Sequence, residues 1–110
     1  MLSKPHRITR AGEFRATMKA GRRRVGELLI THAFSTEPAA PARFGFVVSK
    51  AVGGAVRRNS VKRRLRALSA ERIAAGSSGV DVVVRALPAA ATASFDALRA
   101  EMTGQLGSAA

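Results

Sequence analysis

The chain has 110 residues and a formal net charge of +12, from 19 basic and 7 acidic residues. This length suits one domain with a modest core, and a hydrophobic content of 46% is enough to form it. Cysteine is absent, which excludes disulfides, thiolate metal sites and thiol nucleophiles. No apolar run is long enough for a signal peptide or a membrane span. We therefore expect a single domain over residues 1–110, located in the cytoplasm, with no membrane partner.

The positive charge is unevenly distributed along the chain. Residues 1–66 hold 16 basic and 3 acidic residues, whereas residues 67–110 hold 3 basic and 4 acidic residues. A strongly basic part joined to a near-neutral part favours a nucleic-acid partner over general solubility.

The first half of the chain begins with a basic arm, predicted to be extended over residues 1–8. A helix is predicted over about residues 10–20, with Thr9 as its cap and Gly21 as its stop, because apolar residues recur at helical spacing. The three arginines 22–24 are predicted to form a basic loop. Strands are predicted over 28–34 and 43–49, separated by a proline-containing loop.

The second half begins with a glycine turn at Gly53 and Gly54 that leads into a basic helix over about residues 55–74. A β-branched strand over 80–85 follows, and Ser94 is a candidate cap for a last helix. Residues 107–110 are predicted to be a flexible tail. The fold class is therefore α+β, a small sheet with packed helices in the order α-β-β-α-β-α.

The basic helix has two distinct stripes. Its six cations between residues 57 and 66 are accompanied by no acid. At about 100° per residue, Arg58, Lys62 and Arg66 share one stripe, with Asn59 and Arg63 beside it. A separate apolar stripe is formed by three residues: Val61, Leu65 and Leu68. Such a helix docks on a core by one side and presents cations to a polyanion on another.

Several enzymatic classes find no support in the residues. Gly53 and Gly54 lack the Gly-Lys-Ser/Thr that a phosphate-binding loop requires, so we expect no small-molecule nucleotide substrate. His6 and His32 are isolated, and the scattered acids suggest neither an acid–base pair nor a carboxylate cage. We therefore predict no catalytic residue and no metal ligand on this chain.

One segment is more specific than a generic cluster of cations. Residues 50–66, KAVGGAVRRNSVKRRLR, closely resemble the signature of the bacterial ribonuclease P protein component: a lysine, a glycine turn, Ala-Val, Arg-Asn, Lys-Arg and a final Arg. Phe14 in a short helix, the strand RFGFVVS at 43–49, and VDVVVR with ALP at 80–88 are also similar to that family. The resemblance covers nearly the whole chain.

This resemblance implies a function. The family joins a catalytic RNA to form the endonuclease that removes the 5′ leader from precursor tRNA. The RNA subunit would hold the Mg²⁺ ions together with the substrate and perform the hydrolysis, while the protein binds RNA and leader. The resemblance also implies a left-handed β-α-β crossover through the basic helix, against the right-handed rule.

Two surfaces are implied by the same resemblance. The catalytic RNA would contact the stripe residues of the basic helix: Arg58, Asn59, Lys62, Arg63 and Arg66. A cleft for the single-stranded leader would be lined by Phe14, Arg15 and Met18 on one side. Lys50 and the outer face of the sheet would line the other side. From its spacing alone, Phe14 fits the core and an RNA contact equally well.

The chain departs from the family pattern at three places. Ser60 replaces a basic residue, Met18 stands at an often aromatic position, and Thr31 or His32 replaces a strand tyrosine. We expect leader binding to depend more on charge and less on stacking.

Two alternatives use the same charge pattern. A general RNA-binding or ribosomal-type protein of similar fold would bind structured RNAs without stimulating leader cleavage. A duplex-DNA binder would need a groove-reading element, and the sequence contains no helix-turn-helix or zinc pattern.

Overall fold

The computed structural model describes residues 2–107. Their regular elements, in chain order, are α1 Ala11–Ala20, β1 Arg22–Val25, β2 Leu29–Ser35, β3 Arg43–Val47, α2 Ala55–Ala74, β4 Val80–Ala86 and α3 Phe95–Leu106. Three short 3₁₀ turns accompany them, at Lys4–His6, Lys50–Val52 and Pro88–Ala91. The α+β class is confirmed, but the predicted order lacks one strand.

The four strands form one mixed sheet in the order β1-β2-β4-β3. β1 pairs with β2 and β2 with β4 in antiparallel fashion, while β3 and β4 are parallel. Helices α2 and α3 cover one face of the sheet, where Phe44, Val82 and Val84 share a buried cluster with Leu65 and Leu98. Helix α1 lies on the opposite face.

The connection from β3 through α2 to β4 is left-handed. The N–H of Ile8 donates to the carbonyl oxygen of Phe44 at 3.0 Å, so this carbonyl points away from β4. The side chain of Phe44 points into the core beneath α2. Consider β3 drawn with its chain direction upward and the Phe44 side chain pointing at the viewer. For L-amino acids, the carbonyl group of Phe44 then points to the right. β4 therefore lies left of β3 when viewed from α2, which confirms the expected exception to the right-handed rule.

The predicted basic loop at 22–24 was wrong, because these residues form β1. All four residues of Arg22–Val25 are exposed, and no apolar alternation marks them as a strand. The strand forms because its backbone pairs with β2, as in Arg23 opposite His32. Such a charged edge strand also discourages pairing with other chains.

Smaller corrections concern the ends of elements. The N-cap of α1 is Arg10 rather than Thr9, and its N–H donates to the Glu13 carboxylate at 3.4 Å. The predicted strand over 43–49 ends at Val47, because the chain turns into the 3₁₀ segment that Ser49 caps. The arm over 1–8 contains the turn Lys4–His6 instead of being extended throughout.

Other boundaries are confirmed. Gly21 caps α1, α2 spans the predicted residues 55–74, and Ser94 caps α3 by accepting from the Ala97 N–H at 3.0 Å. Of the predicted tail, Gly107 caps α3, and residues 108–110 lie outside the described residues.

Candidate nucleic-acid interface

Helix α2 is oriented by its apolar stripe. Val61, Leu65 and Leu68 are 1%, 0% and 2% exposed, as the spacing predicted. Gly53, with a φ of 149°, supplies the turn before the helix in a conformation that residues with a side chain rarely adopt. This anchoring fixes the direction in which the cations of the helix point.

The predicted stripe is present but not uniform in exposure. Arg66, Asn59 and Arg63 are exposed, whereas Arg58 and Lys62 are half-buried. None of these cations forms a salt bridge with an acid of residues 2–107. Arg64 points elsewhere and donates to the carbonyl oxygen of Ala93 at 2.9 Å. The stripe therefore keeps its charges available for an external polyanion.

A groove of about 220 Å³ lies at the β3 edge of the sheet. We call it the β3 groove, and it is lined by Arg7, Ile8, Thr9, Phe14, Phe44, Gly45, Phe46, Lys62 and Arg66. Because Arg7 and Ile8 run along β3, the arm forms one wall, and α1 and α2 contribute to the others. Three cations thus surround a partly aromatic groove.

Phe14 packs against the sheet, and its predicted contact with RNA stays a prediction. It is half-buried, and it lies so close to the backbone of Gly45 that a Cβ there would be 2.6 Å from its ring. The ring therefore packs on β3 while still lining the groove. A glycine at position 45 is what permits this close approach.

A cluster of charged side chains holds α1 against the sheet. Arg43 on β3 contacts both carboxylate oxygens of Asp81, at 3.0 and 2.8 Å, and one oxygen of Glu13 at 2.9 Å. The hydrogen bond from Arg43 lowers the pKa of Glu13, and the two carboxylates raise the pKa of Arg43. Because Glu13 precedes Phe14 on α1, this cluster fixes the position of the aromatic ring.

The structure brings only some of the predicted residues together. Phe14, assigned to the leader cleft, shares the β3 groove with Lys62 and Arg66, assigned to the catalytic RNA. Arg15 and Lys50 are exposed outside the groove, and Met18 is half-buried outside it. Their assignment to the cleft stays a prediction.

Sequence reasoning singled out three of the nine residues that line the groove and missed the other six: Arg7, Ile8, Thr9, Phe44, Gly45 and Phe46. For Arg7 the basic character of the arm was a signal, but its pairing with Phe44 is a long-range contact. For Phe46 the only signal in the sequence was the alternation of side chains between the two faces of β3.

The two candidates for the missing strand tyrosine lie on opposite faces of the sheet. Thr31 is buried on the α3 side, where its hydroxyl donates to Gln105 at 2.8 Å. His32 is 3% exposed on the α1 side. His32 is therefore the residue nearer to the side on which the tyrosine would serve a leader.

Comparison with known proteins identifies the family of the chain. The family model described as Ribonuclease P matches residues 2–110 of the chain. The chain belongs to the ribonuclease P protein family. It is 50% identical over 98 residues to the ribonuclease P protein component of Kocuria rhizophila, covering 89% of this chain and 86% of that protein. It is 48% identical over 108 residues to the ribonuclease P protein component of Beutenbergia cavernae, covering 98% of this chain and 91% of that protein.

Solved structures of ribonuclease P proteins share the fold. The Staphylococcus aureus protein superposes with a TM-score of 0.82 at 23% identity, covering 94% of each chain. The Thermotoga maritima protein gives a TM-score of 0.77 at 22% identity, covering 89% of this chain and 92% of that one.

The carboxylates of the chain are mostly committed to protein partners. Glu13 and Asp81 bind Arg43, and Glu71 and Asp96 bind Arg99. A further acid, Glu101, accepts from the N–H groups of residues 27–29. Within residues 2–107 no three His, Asp or Glu side chains are grouped so that they could hold a metal. These donors do not fit a resident Mg²⁺ on this chain.

None of the helices in the described part of the chain combines the length and hydropathy that crossing a bilayer requires.

Proposed function

We propose that this ribonuclease P protein binds the catalytic RNA through the basic stripe of α2 and the 5′ leader of precursor tRNA through the β3 groove. The observation that carries the proposal is the groove itself, which is lined together by Phe14, by the arm and by the cations Lys62 and Arg66. An aromatic ring beside cations suits an unpaired base and its neighbouring phosphate.

The stripe and the groove adjoin each other, because Lys62 and Arg66 belong to both. A leader in the groove would then run directly beside the catalytic RNA on α2. Holding both strands together lowers the entropy that must be lost when the scissile bond meets the active centre.

The active centre of the holoenzyme belongs, in this proposal, to the RNA subunit. The RNA and the substrate would hold the Mg²⁺, which would supply an activated water for phosphodiester hydrolysis. The residues of this chain bind and orient the leader, and their positive charge reduces the repulsion between two RNA strands. The assembly would act in the cytoplasm, with the catalytic RNA and precursor tRNA as its partners.

The direct test is cleavage of a 5′-labelled precursor tRNA by a bacterial ribonuclease P RNA at low Mg²⁺, with and without the protein. We expect stimulated cleavage at the mature 5′ end, and loss of the stimulation in the Arg58→Ala/Lys62→Ala variant. Arg64→Gln is the control, because its guanidinium is engaged with Ala93. RNA binding without stimulation would instead indicate a general RNA-binding protein.

A further inference from the structure

A second, larger cavity lies on the face of the sheet that α2 and α3 cover. It has a volume of about 470 Å³ and lies between β1 and the C-terminal ends of α2 and α3. We call it the β1 cavity. Its floor reaches across β2 and β4 as far as Phe44, which also lines the β3 groove, but its arginines on β1 stand on the outer strand opposite β3. Nothing in the proposed function uses the β1 cavity.

Two cations of β1 point toward the cavity. Arg22 is opposite Ala33 and Arg24 is opposite Thr31 in the antiparallel pairing. Because side chains alternate along a strand, both arginines share the face on which Thr31 meets α3. Both side chains line the cavity. The intervening Arg23 is opposite His32 and points to the other face.

A third cation, Arg72, enters the cavity from α2. It is half-buried, and one terminal nitrogen, Nη2, donates to the carbonyl oxygen of Gly107 at 2.8 Å. Its Nε is buried without a partner among residues 2–107, and burial lowers its pKa. The adjacent carboxylate of Glu71 is bound to Arg99 at 2.9 Å. A half-buried cation whose Nε is cut off from water and that has no counterion among residues 2–107 is partly desolvated, so an anion bound here would offset that cost.

The remaining residues and the size of the cavity suit a ligand larger than a free anion, such as a phosphate that carries an organic group. None of the acids among residues 2–107 lines the cavity. The hydroxyl of Ser78 donates to the carbonyl oxygen of Pro38 at 3.1 Å, whereas Ser77 also lines the cavity and its hydroxyl has no hydrogen-bond partner within the described residues. The volume exceeds what a phosphate alone needs and falls in the range of about 300–1,000 Å³ typical of ligand sites.

We propose that the β1 cavity binds a nucleotide of an RNA strand, with Arg22, Arg24 and Arg72 holding its phosphate. Arginine favours this ligand because its planar guanidinium matches phosphate oxygens in pairs. The choice of RNA over a free phosphate rests on the proposed function, in which RNA is the partner. The protein would then contact RNA at both edges of its sheet.

The test uses the full chain carrying Lys62→Ala and Arg66→Ala, so that binding in the β3 groove is weakened. Two probes are titrated separately, inorganic phosphate and a short single-stranded RNA, while the Nε–H resonance of Arg72 is followed by NMR. We expect both probes to shift this resonance, with the RNA binding more tightly.

Two variants on neighbouring positions of β1 make the decisive comparison. We expect Arg24→Gln to lower the RNA affinity roughly fivefold at about 0.1 M salt and the salt slope by about 0.7, as for one lost phosphate contact. Arg23→Gln, with the same change in charge on the opposite face, should change the affinity less than about twofold. Both positions are exposed, so neither variant should impair folding.

Two results would overturn the proposal: equal losses in the two variants, or no shift of the Arg72 resonance with RNA, including the case in which inorganic phosphate shifts it and RNA does not. The cleavage assay of the proposed function is read separately. Stimulated cleavage without binding in the β1 cavity would reject only this inference, and binding without stimulation would reject only the proposed function.

Discussion

Arg43 and the cations of α2 have opposite surroundings. Arg43 meets two carboxylates and ties α1 to the sheet. The cations of α2 between 57 and 66 meet no carboxylate within residues 2–107. The cation that is paired with carboxylates holds secondary-structure elements together. The cations of α2 that have no carboxylate partner stay available to bind a polyanion. If this distinction holds, substitutions in the first group should change stability, and those in the second should change RNA binding.

The largest expected effect is on stability, and it follows from removing Arg43 from its two carboxylate partners. We expect Arg43→Ala to lower the free energy of unfolding by about 3 kcal/mol, because it leaves the carboxylate of Asp81 buried without a counterion. The Asp81 side chain is only 12% exposed. Urea unfolding followed by circular dichroism measures the change.

Arg99→Ala is the matched comparison, since Arg99 also meets two carboxylates. Its partners Glu71 and Asp96 are 49% and 89% exposed, so we expect a much smaller loss of stability than for Arg43→Ala, because solvent screens these ion pairs. Equal losses in the two variants would show that burial of Asp81 is not what makes the Arg43 cluster important.

The second effect concerns the unpaired group. Lys62→Ala with Arg66→Ala should weaken RNA binding roughly 40-fold at about 0.1 M salt and lower the salt slope by about 1.6, for two lost phosphate contacts. Unfolding in urea should change little, because neither side chain belongs to the core cluster. Filter binding over a series of salt concentrations provides the slope.

The control removes two charges that are already engaged, Arg64→Gln with Arg99→Gln. The affinity of this control variant for RNA should fall much less than that of the double alanine variant, although the two variants have the same net charge. A fall of equal size would mean that only the total charge matters and that the stripe is not a site.

The third effect tests the groove between these two regions. Phe14→Ala should reduce affinity for leader-bearing precursor roughly tenfold, within the range for one base stacked on an aromatic ring, and should affect mature tRNA less. Gly45→Ala should give a smaller loss, because its Cβ displaces the ring without removing it. Equal losses for precursor and mature tRNA, with a lower melting temperature, would assign Phe14 to the core alone.

The sequence predicted those parts of the fold whose signals are local. The bounds of α2 follow from the turn at Gly53 and Gly54 and from the glycine-rich loop beginning at Gly76, and its buried stripe follows from helical spacing. β1 was missed because its stability comes from pairing with β2, a contact that leaves no hydrophobic pattern in Arg22–Val25. The handedness of the crossover came from the family resemblance, since general rules favour the opposite hand.

The candidate site was predictable in its parts but not in its assembly. The residue types of the stripe and the aromatic ring are visible in the sequence. Their meeting in one groove depends on the arm lying along β3 and on Arg43 reaching two elements, and both contacts join residues distant along the chain. The β1 cavity was hidden for the same reason, since Arg72 meets Arg22 and Arg24 only in the folded sheet.

The smallest expected effect concerns His32, which the folded protein favours in its neutral form. His32 is buried beneath α1, and burial lowers its pKa, with the nearby Arg85 and Arg23 acting in the same direction. The backbone of Met18 acts in the opposite direction but does not offset the burial, so the pKa of His32 stays below its ordinary value of 6.5. The unfolded chain therefore takes up a proton at a higher pH than the native protein does. The contribution of His32 to the free energy of unfolding is fully present above pH 6.5 and is lost progressively as the pH falls below it.

Urea unfolding at about pH 7.5, 6.5 and 5.5 should show this decrease in the original chain and its absence in His32→Leu. The other histidine, His6, is common to both proteins and cancels in the comparison. The lowered pKa values of Glu13 and Glu71 lie below their ordinary 4.5, outside this range of pH. If both proteins lost the same stability between these pH values, His32 would have to be protonated as readily in the native state as in the unfolded chain. Its position between two arginines would then have no electrostatic consequence, contrary to the distinction between paired and unpaired charges drawn above.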